Sequence, residues 1–136
     1  MPHKVFYRRV RCQYCKEFST VVEGIKLYGV GHKLSDKEFY FCNGCDAWVG
    51  MHHDTKKPFG TLAKSDLRKK RVLAHAEFDK LWNLKIQEGF SKTAARKYAY
   101  QWLAECMKKP VDKCHIGFFN IDECNKVISL CKKNKA

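Results

Sequence analysis

Arg11-Cys12-Gln13-Tyr14-Cys15-Lys16 and Cys42-Asn43-Gly44-Cys45-Asp46 are the two stretches that decide the fold of this chain. Each places a Cys-x-x-Cys pair on a short polar turn, called here the first and the second knuckle, and 26 residues separate the pairs. Two such pairs deliver the four thiolates of a tetrahedral Zn²⁺ site. The separation exceeds the usual spacing of about 15–20 residues, which predicts a hairpin or an extra strand between the knuckles. The sequence therefore predicts one zinc ion bound by Cys12, Cys15, Cys42 and Cys45.

Two structural disulfides or four buried thiols are the alternatives to this metal site. The N-terminus argues against disulfides, because Met1-Pro2-His3-Lys4 leads into residues 5–9 without the apolar segment of a secretory signal. We therefore expect a cytoplasmic protein, whose thiols stay reduced and available for metal. A site closed by four thiolates leaves no coordination position for a substrate, so the expected role of the zinc is structural.

The chain is strongly basic. Its 136 residues include 27 Lys and Arg against 14 Asp and Glu, a formal net charge of +13. Four thiolates and one Zn²⁺ together change this value by −2, which leaves +11 on the metal-loaded protein. Such an excess indicates a polyanionic partner. Nucleic acid, DNA rather than RNA, is the first expectation, an acidic protein surface the second, and solubility alone the third. No apolar stretch approaches the roughly 18 residues of a membrane span.

Residues 1–52 are predicted to form a zinc ribbon with a small antiparallel sheet. Strand-like runs at 5–11 and 38–42 lead into the knuckles, and another at 47–51 leaves the second one. The run at 19–28 is divided by Gly24, which predicts a hairpin of two strands. Gly44 is expected to supply a positive φ in the second knuckle.

Residues 53–136 are predicted to be helical. Ser65 and Ser91 are expected to cap two helices, the first ending near Glu88-Gly89, and Asn120 with Glu123 predicts a capping box on a third. Apolar residues at helical spacing predict one buried stripe per helix. These are Leu67, Ala74, Phe78, Leu81 and Trp82, then Ala95, Tyr98, Ala99, Trp102, Leu103 and Cys106, then Cys124, Val127, Ile128 and Cys131. The predicted fold class is α+β, with the ribbon packed against about three C-terminal helices as one compact unit.

A basic segment follows the ribbon. Between Lys56 and Arg71 the sequence holds seven basic residues and one acidic residue. The start of a helix adds its own positive end and unpaired N–H groups, which favour phosphate. The predicted nucleic-acid-binding residues are Lys56, Lys57, Lys64, Arg68, Arg71 and His75. A solvated helix face is the equally weighted alternative.

Several polar and aromatic residues are weaker candidates. His75 and Asp79 lie four residues apart and could pair as an acid–base or metal site with His52, His53, Asp54 or His115, although a structural hydrogen bond is favoured. The candidate polar site is His52, Asp79 and His115. Cys106, Cys114, Cys124 and Cys131 lack a short pair, which favours buried thiols over a second zinc. Tyr98, Tyr100 and Trp102 could stack on bases, but their helical spacing favours the core.

One longer pattern is specific. It runs from Cys42 to His52 (Cys-Asn-Gly-Cys-Asp-Ala-Trp-Val-Gly-Met-His) and on through residues 58–63, and continues with Leu67-Arg68-x-x-Arg71-x-x-x-His75-x-x-Phe78-Asp79-x-Leu81-Trp82. Ala99-Tyr100-x-Trp102-Leu103-Ala104 and His115-Ile116-Gly117-x-Phe119 complete it. Roughly residues 12–124 thus resemble the zinc-finger-containing domain of unknown function found mainly in tailed phages and prophages.

The resemblance implies a zinc finger, a ribbon and helices that fold together, and a phage-type protein acting in a bacterial cytoplasm. It carries no established activity. The residues that match the polar motif of the family are His52, Arg68, Arg71, His75, Asp79 and His115. Here His52 is followed by His53-Asp54, which departs from the pattern and changes the local charge.

Three functions compete at this point. A non-enzymatic protein that binds nucleic acid through residues 56–71 and the knuckles is the first. A small phage effector that docks on and inhibits an acidic host protein is the second. A metal-dependent nuclease built on His52, His75 and Asp79 is the third and least favoured, so the chain is expected not to be an enzyme.

Overall fold

The N-terminal part of the protein is a small antiparallel sheet, and the C-terminal part is helical, which confirms the α+β prediction. The computed structural model describes residues 6–134. Three strands form the sheet in the order β1-β2-β3: β1 (Thr20–Glu23), β2 (Glu38–Cys42) and β3 (Ala47–Gly50). Thr20 pairs with Phe41, and Cys42 pairs with Ala47, so both ladders end beside the second knuckle.

The predicted hairpin at residues 19–28 is wrong in its second half. Gly24–Tyr28 forms a short helix, α1, and the antiparallel partner of β1 is β2 instead. The chain turns here because the N–H of Gly24 donates to the carbonyl of Lys37 at 2.7 Å, and that of Ile25 donates to the carbonyl of Ser35 at 2.9 Å. These bonds come from residues about ten positions away, and they override the strand preference of the local sequence.

The predicted strand at 5–11 is also largely absent. Val5 lies outside the described residues, and residues 6–10 form no regular element. Arg11 makes one isolated antiparallel bridge to Phe18. The segment is held by side-chain contacts as well, since the hydroxyl of Tyr40 accepts from the N–H of Arg8 at 2.8 Å and donates to the carbonyl of Lys56 at 2.5 Å.

The ribbon has a small buried core and extends beyond its last strand. Its buried cluster consists of Cys12, Tyr40, Cys42, Ala47, Met51 and Leu62. Isolated bridges join Met51 to Pro58 and Trp48 to Ala63, so the segment after β3 pairs with the end of the sheet. The first compact unit ends at Ser65.

The second compact unit begins at Asp66 and consists of helices. They are α2 (Ser65–Gln87), α3 (Lys92–Met107) and α4 (Ile121–Lys133), with two single 3-10 turns at Val111–Lys113 and Ile116–Phe118. The Ser91 hydroxyl caps α3 by accepting from the N–H of Ala94. The predicted capping box on α4 is present, because the side chains of Asn120 and Glu123 each accept from the backbone N–H of the other.

The core of the helical unit follows the predicted stripes. Buried residues on its helices include Leu67, Ala74 and Phe78, then Ala95, Ala99 and Leu103, then Cys124, Val127 and Cys131. Tyr98 is an exception, since half of its side chain is exposed. None of the helices between residues 6 and 134 combines the length and the apolar character that a membrane span requires.

Gly24 offers a test of the turn that ends β1. A Cβ built on Gly24 would lie 1.8 Å from the carbonyl oxygen of Leu34, so Gly24→Ala must displace backbone. We expect a loss of about 1–3 kcal/mol in the free energy of unfolding. Gly44→Ala is the matched control, because its Cβ would meet no atom within 4 Å. Thermal unfolding of the zinc-loaded variants measures both, and equal melting temperatures would contradict the predicted turn constraint.

Candidate functional site

The four knuckle cysteines come together at one end of the sheet. Cys42 is the last residue of β2, and Cys45 lies in the turn before β3. The sulfur atoms of Cys12, Cys15, Cys42 and Cys45 all lie within 4.8 Å of one another, and those of Cys15 and Cys42 are 3.6 Å apart. Tetrahedral zinc with Zn–S bonds of about 2.3 Å places its sulfurs about 3.8 Å apart. The cluster therefore fits one structural zinc ion.

The backbone of both knuckles takes the same special conformation. Lys16 and Asp46 each directly follow the second cysteine of a pair, and their φ angles are 70° and 52°. The N–H of Lys16 donates to the carbonyl of Cys12 at 2.9 Å, which closes the first turn. Gly44 does not have a positive φ, so the prediction that it supplies the left-handed residue is wrong. The knuckle geometry places that conformation after the pair, on Asp46, a residue type that adopts it comparatively often, and on Lys16, which seldom does.

The thiols differ in how readily they lose their protons. Burial raises the pKa of Cys42, and burial together with the neighbouring thiol of Cys15 raises the pKa of Cys45 to about 12. Burial also pushes the pKa of Cys12 upward, but N–H groups of Cys15 and Tyr14 stabilise its thiolate and leave its pKa below the usual value. Zinc must consequently displace protons when it binds.

Four thiolates fill the coordination sphere of zinc and leave no site for a substrate or a water. Within residues 6–134, these cysteines form the one cluster of three or more His, Cys, Asp or Glu side chains with metal-binding spacing. The remaining cysteines behave as apolar residues. Cys114, Cys124 and Cys131 are buried, and burial raises the pKa of each thiol, to about 12 for Cys131.

In the ribbon unit, the predicted basic residues have different surroundings. The Lys56 ammonium lies 2.8 Å from a carboxylate oxygen of Glu38 and is largely buried, so it belongs to an internal ion pair. Lys57 is exposed. Lys64 is exposed as well, and its ammonium lies 4.7 Å from the ring centre of Tyr14, which is in the first knuckle.

In the helical unit, Arg71 is buried, with 7% of its surface exposed. Its Nε and Nη2 donate to the carbonyl of Phe119 at 3.2 and 3.1 Å. Arg68 is half-buried, and His75 is exposed with its Nδ1 2.8 Å from the carbonyl oxygen of Arg71. The guanidinium of Arg71 thus joins α2 to the loop before α4, which is a structural task.

The candidate polar site is spread over both units. His52, in the ribbon, packs edge-on against Phe59 with ring centres 4.5 Å apart. In the helical unit, Asp79 accepts from Nε1 of Trp82 at 2.8 Å, and the ring of His115 lies 6.2 Å from that of Tyr100. Asp79 and His75 therefore have structural partners within their own helix.

Sequence reasoning missed a group of cations and aromatic rings on the first knuckle. The guanidinium carbons of Arg9 and Arg11 lie 4.2 and 4.1 Å from the ring centre of Phe18. Tyr14 and Phe18 are both exposed, and the hydroxyl of Tyr14 accepts from the N–H of Lys64 at 3.1 Å. We call Arg9, Arg11, Tyr14, Phe18 and Lys64 the knuckle face. The alternation of basic and aromatic residues around Cys12 and Cys15 was the available signal.

Replacing one zinc ligand tests the structural role of the metal. We expect Cys42→Ser to lose zinc and unfold the ribbon, because zinc coordination supplies much of the folding free energy of so small a unit. Zinc content per chain and limited proteolysis measure this, with cleavage expected to concentrate in residues 6–65. Cys106→Ser is the control, because Cys106 is half-buried on α3 and is not one of the four clustered cysteines. Unchanged zinc content in Cys42→Ser would contradict the assignment.

The affinity for zinc is expected to decrease as the pH is lowered. The raised pKa values of Cys42 and Cys45 keep both thiols protonated near neutrality in the metal-free ribbon, so zinc binding releases their protons. Release of at least these two protons predicts a loss of at least about 100-fold in affinity per pH unit on acidification. Calorimetric titration at two pH values, in buffers of different ionisation enthalpy, counts the protons. Equal affinity at both pH values would contradict this prediction.

The family comparison agrees with this geometry. A family model described as a zinc-finger-containing domain matches residues 8–134, a span that includes the four cysteines and every described helix and strand. The matched range contains residues 12–124, over which the sequence resembles this family, and it confirms that resemblance. No curated protein and no solved structure gives a match. With its clustered cysteines and nearly full-length match, this chain belongs to the family of zinc-finger-containing domains.

Proposed function

We propose that this protein binds nucleic acid through the knuckle face and acts without catalysing a reaction. The observation that carries the proposal is the position of the Arg9 and Arg11 guanidinium groups on the exposed ring of Phe18, beside the zinc knuckle. Surfaces that bind nucleic acid commonly combine aromatic rings that stack on bases with cations that contact phosphates. Phe18 is 42% exposed, so its ring is accessible to a ligand.

The charge of the chain supports the same partner. The metal-loaded protein keeps a net charge of about +11, because zinc and its four thiolates remove only two from the formal +13. On the knuckle face itself, the cations Arg9, Arg11 and Lys64 are exposed. Cations in such positions attract phosphates over a distance of about one Debye length and release counterions on binding. DNA in a bacterial cytoplasm is the proposed target, in keeping with a phage-type protein.

The structure changes which residues are proposed to contact phosphate. Lys64 stays in the set and joins the knuckle face, and exposed Lys57 stays as a peripheral contact. Lys56 and Arg71 leave it, because Lys56 pairs with Glu38 and Arg71 is buried. His75 and half-buried Arg68, on the helical unit, are left as proposed secondary contacts.

An acidic host protein is the second candidate partner, since the same cations would attract it. Exposed aromatic rings beneath those cations favour nucleic acid, because each base offers a flat face for stacking and an acidic protein surface need not. For a metal-dependent nuclease, the described residues offer no ligand cluster besides the four cysteines, and these are taken by a structural ion.

A binding measurement with matched variants tests the proposal. We expect the zinc-loaded protein to bind labelled DNA with an affinity that falls steeply between about 50 and 200 mM salt. Arg9→Ala/Lys64→Ala removes two exposed cations of the knuckle face and should reduce the slope of log affinity against log salt by about 1–2. Arg11 is kept, because its Nη1 donates to the carbonyl of Lys16 and orders the knuckle.

Lys33→Ala/Lys37→Ala is the control for this experiment. It removes the same charge from exposed residues at the opposite end of the β1–β2 ladder from Cys42. Equal losses in the two double variants would show that general charge, and not the knuckle face, carries the binding. An absence of salt-sensitive binding in the unmodified protein would overturn the proposed function and direct the search to an acidic host protein.

A further inference from the structure

A second group of aromatic rings and cations lies on the helical unit, around a cleft between α2 and α3. The cleft has a volume of about 210 Å³. Its lining includes Lys85 and Glu88 from α2 and the loop after it, and Tyr98 and Trp102 from α3. We call these four residues, with Phe90 at the rim, the helical cleft.

Two aromatic rings of the helical cleft are exposed, although aromatic side chains are usually buried. Tyr98 is 50% exposed and Phe90 is 43% exposed, and their ring centres lie 6.3 Å apart with the planes inclined by 32°. The Lys85 ammonium lies 4.5 Å from the ring centre of Tyr98 and 5.8 Å from that of Phe90. The Lys85 ammonium therefore makes cation–π contacts with two accessible rings.

The cleft also presents a hydrogen-bond donor beside an acceptor. The Lys85 ammonium lies 3.2 Å from a carboxylate oxygen of Glu88. The edge of a nucleobase carries donors and acceptors of its own, which such a pair can match. A phosphate would be repelled by the Glu88 carboxylate, so the chemistry inside the cleft suits a base better than the backbone.

Three cations lie at the start of α3, the helix that also carries Tyr98 and Trp102. Lys92 and Arg96 lie 5.7 and 5.8 Å from the ring of Trp82, measured from the Nζ and Cζ atoms. Lys97 is exposed on the following position. These three positive side chains on the first two turns of α3 offer phosphate contacts on the helix that supplies Tyr98 to the cleft.

We propose that the helical cleft receives one unpaired nucleobase of a single-stranded nucleic acid, stacked on Tyr98, while the cations at the start of α3 attract the phosphates of the same strand. This inference rests on the proposed nucleic-acid binding and adds a second site and a substrate class to it. A base inside a duplex is already stacked between its neighbours, so a concave aromatic site can receive only an unpaired one.

Replacement of the stacking ring tests the site. Tyr98→Leu keeps an apolar side chain but removes the ring, and Tyr98→Phe keeps the ring and is the matched control. Affinity for a labelled 12-residue oligothymidylate is measured by fluorescence anisotropy at fixed salt, beside a duplex of the same length. We expect Tyr98→Leu to lose about 5- to 100-fold in affinity for the single strand and to bind the duplex unchanged, while Tyr98→Phe binds both like the parent.

The outcomes separate this inference from the proposed function. A parent protein that binds neither oligonucleotide overturns both. If binding is salt-sensitive and is weakened by Arg9→Ala/Lys64→Ala but not by Tyr98→Leu, the helical cleft alone is overturned. Equal losses in Tyr98→Leu and Tyr98→Phe, or an equal loss for duplex and single strand, also overturn it. Quenching of tryptophan emission by the oligothymidylate, reduced in Trp102→Phe, gives an independent positive result, because Trp102 lines the cleft.

Competition with polyglutamate identifies an acidic protein partner. The inference predicts the same inhibition constant of polyglutamate for the parent and for Tyr98→Leu, because a flexible acidic chain has no ring to stack on Tyr98. Tighter binding of polyglutamate to the parent than to Tyr98→Leu would assign the cleft to an acidic peptide and overturn the inference.

Discussion

Coordination of one zinc ion by four thiolates is the constraint on which the ribbon unit depends. The buried cluster of this unit contains six residues, and two of them, Cys12 and Cys42, are zinc ligands themselves. So little apolar burial cannot offset the conformational entropy of some 60 residues, whereas a structural zinc site contributes of the order of 10 kcal/mol. The first knuckle is ordered by local hydrogen bonds and by the bridge from Arg11 to Phe18. It is also tied to residues 61–64, because Gln13 Nε2 donates to Thr61 and Leu62 and the Tyr14 hydroxyl accepts from the N–H of Lys64. The metal and these hydrogen bonds therefore hold the knuckle face together.

Those features that depend on neighbouring residues were predictable from the sequence. A zinc ligand pair requires two cysteines two residues apart, and a helix cap requires an oxygen at a fixed offset, so Cys12, Cys42, Ser91 and Asn120 were correctly identified. The buried stripes on α2, α3 and α4 were predictable for the same reason, because a helix has a fixed period. Local chemistry thus determined the fold class and the metal site.

Features that depend on distant residues were not predictable. The N–H groups of Gly24 and Ile25 donate to the carbonyls of residues 37 and 35 where the helix Gly24–Tyr28 begins, and the sequence of that segment does not indicate these acceptors. Helical periodicity places Arg71 on the same stripe as the apolar residues of α2, where a charged residue is not expected, and the carbonyl of Phe119, 48 residues later, accepts from its guanidinium. A buried guanidinium needs such an acceptor, and a sequence does not show where the acceptor will be.

The two aromatic surfaces differ in their cations, and this difference bears on what each can recognise. A guanidinium is planar and weakly hydrated, so the groups of Arg9 and Arg11 can stay on Phe18 while their outer faces stack on a base or bind phosphate. The ammonium of Lys85 has no second flat face, and a base that reaches Tyr98 must displace it from the ring or bond to it at the edge. Glu88 lies beside Lys85 and can hold the displaced ammonium. Under the proposed function, the knuckle face would suit sequence-tolerant attachment, and the helical cleft would suit selection of an unpaired base.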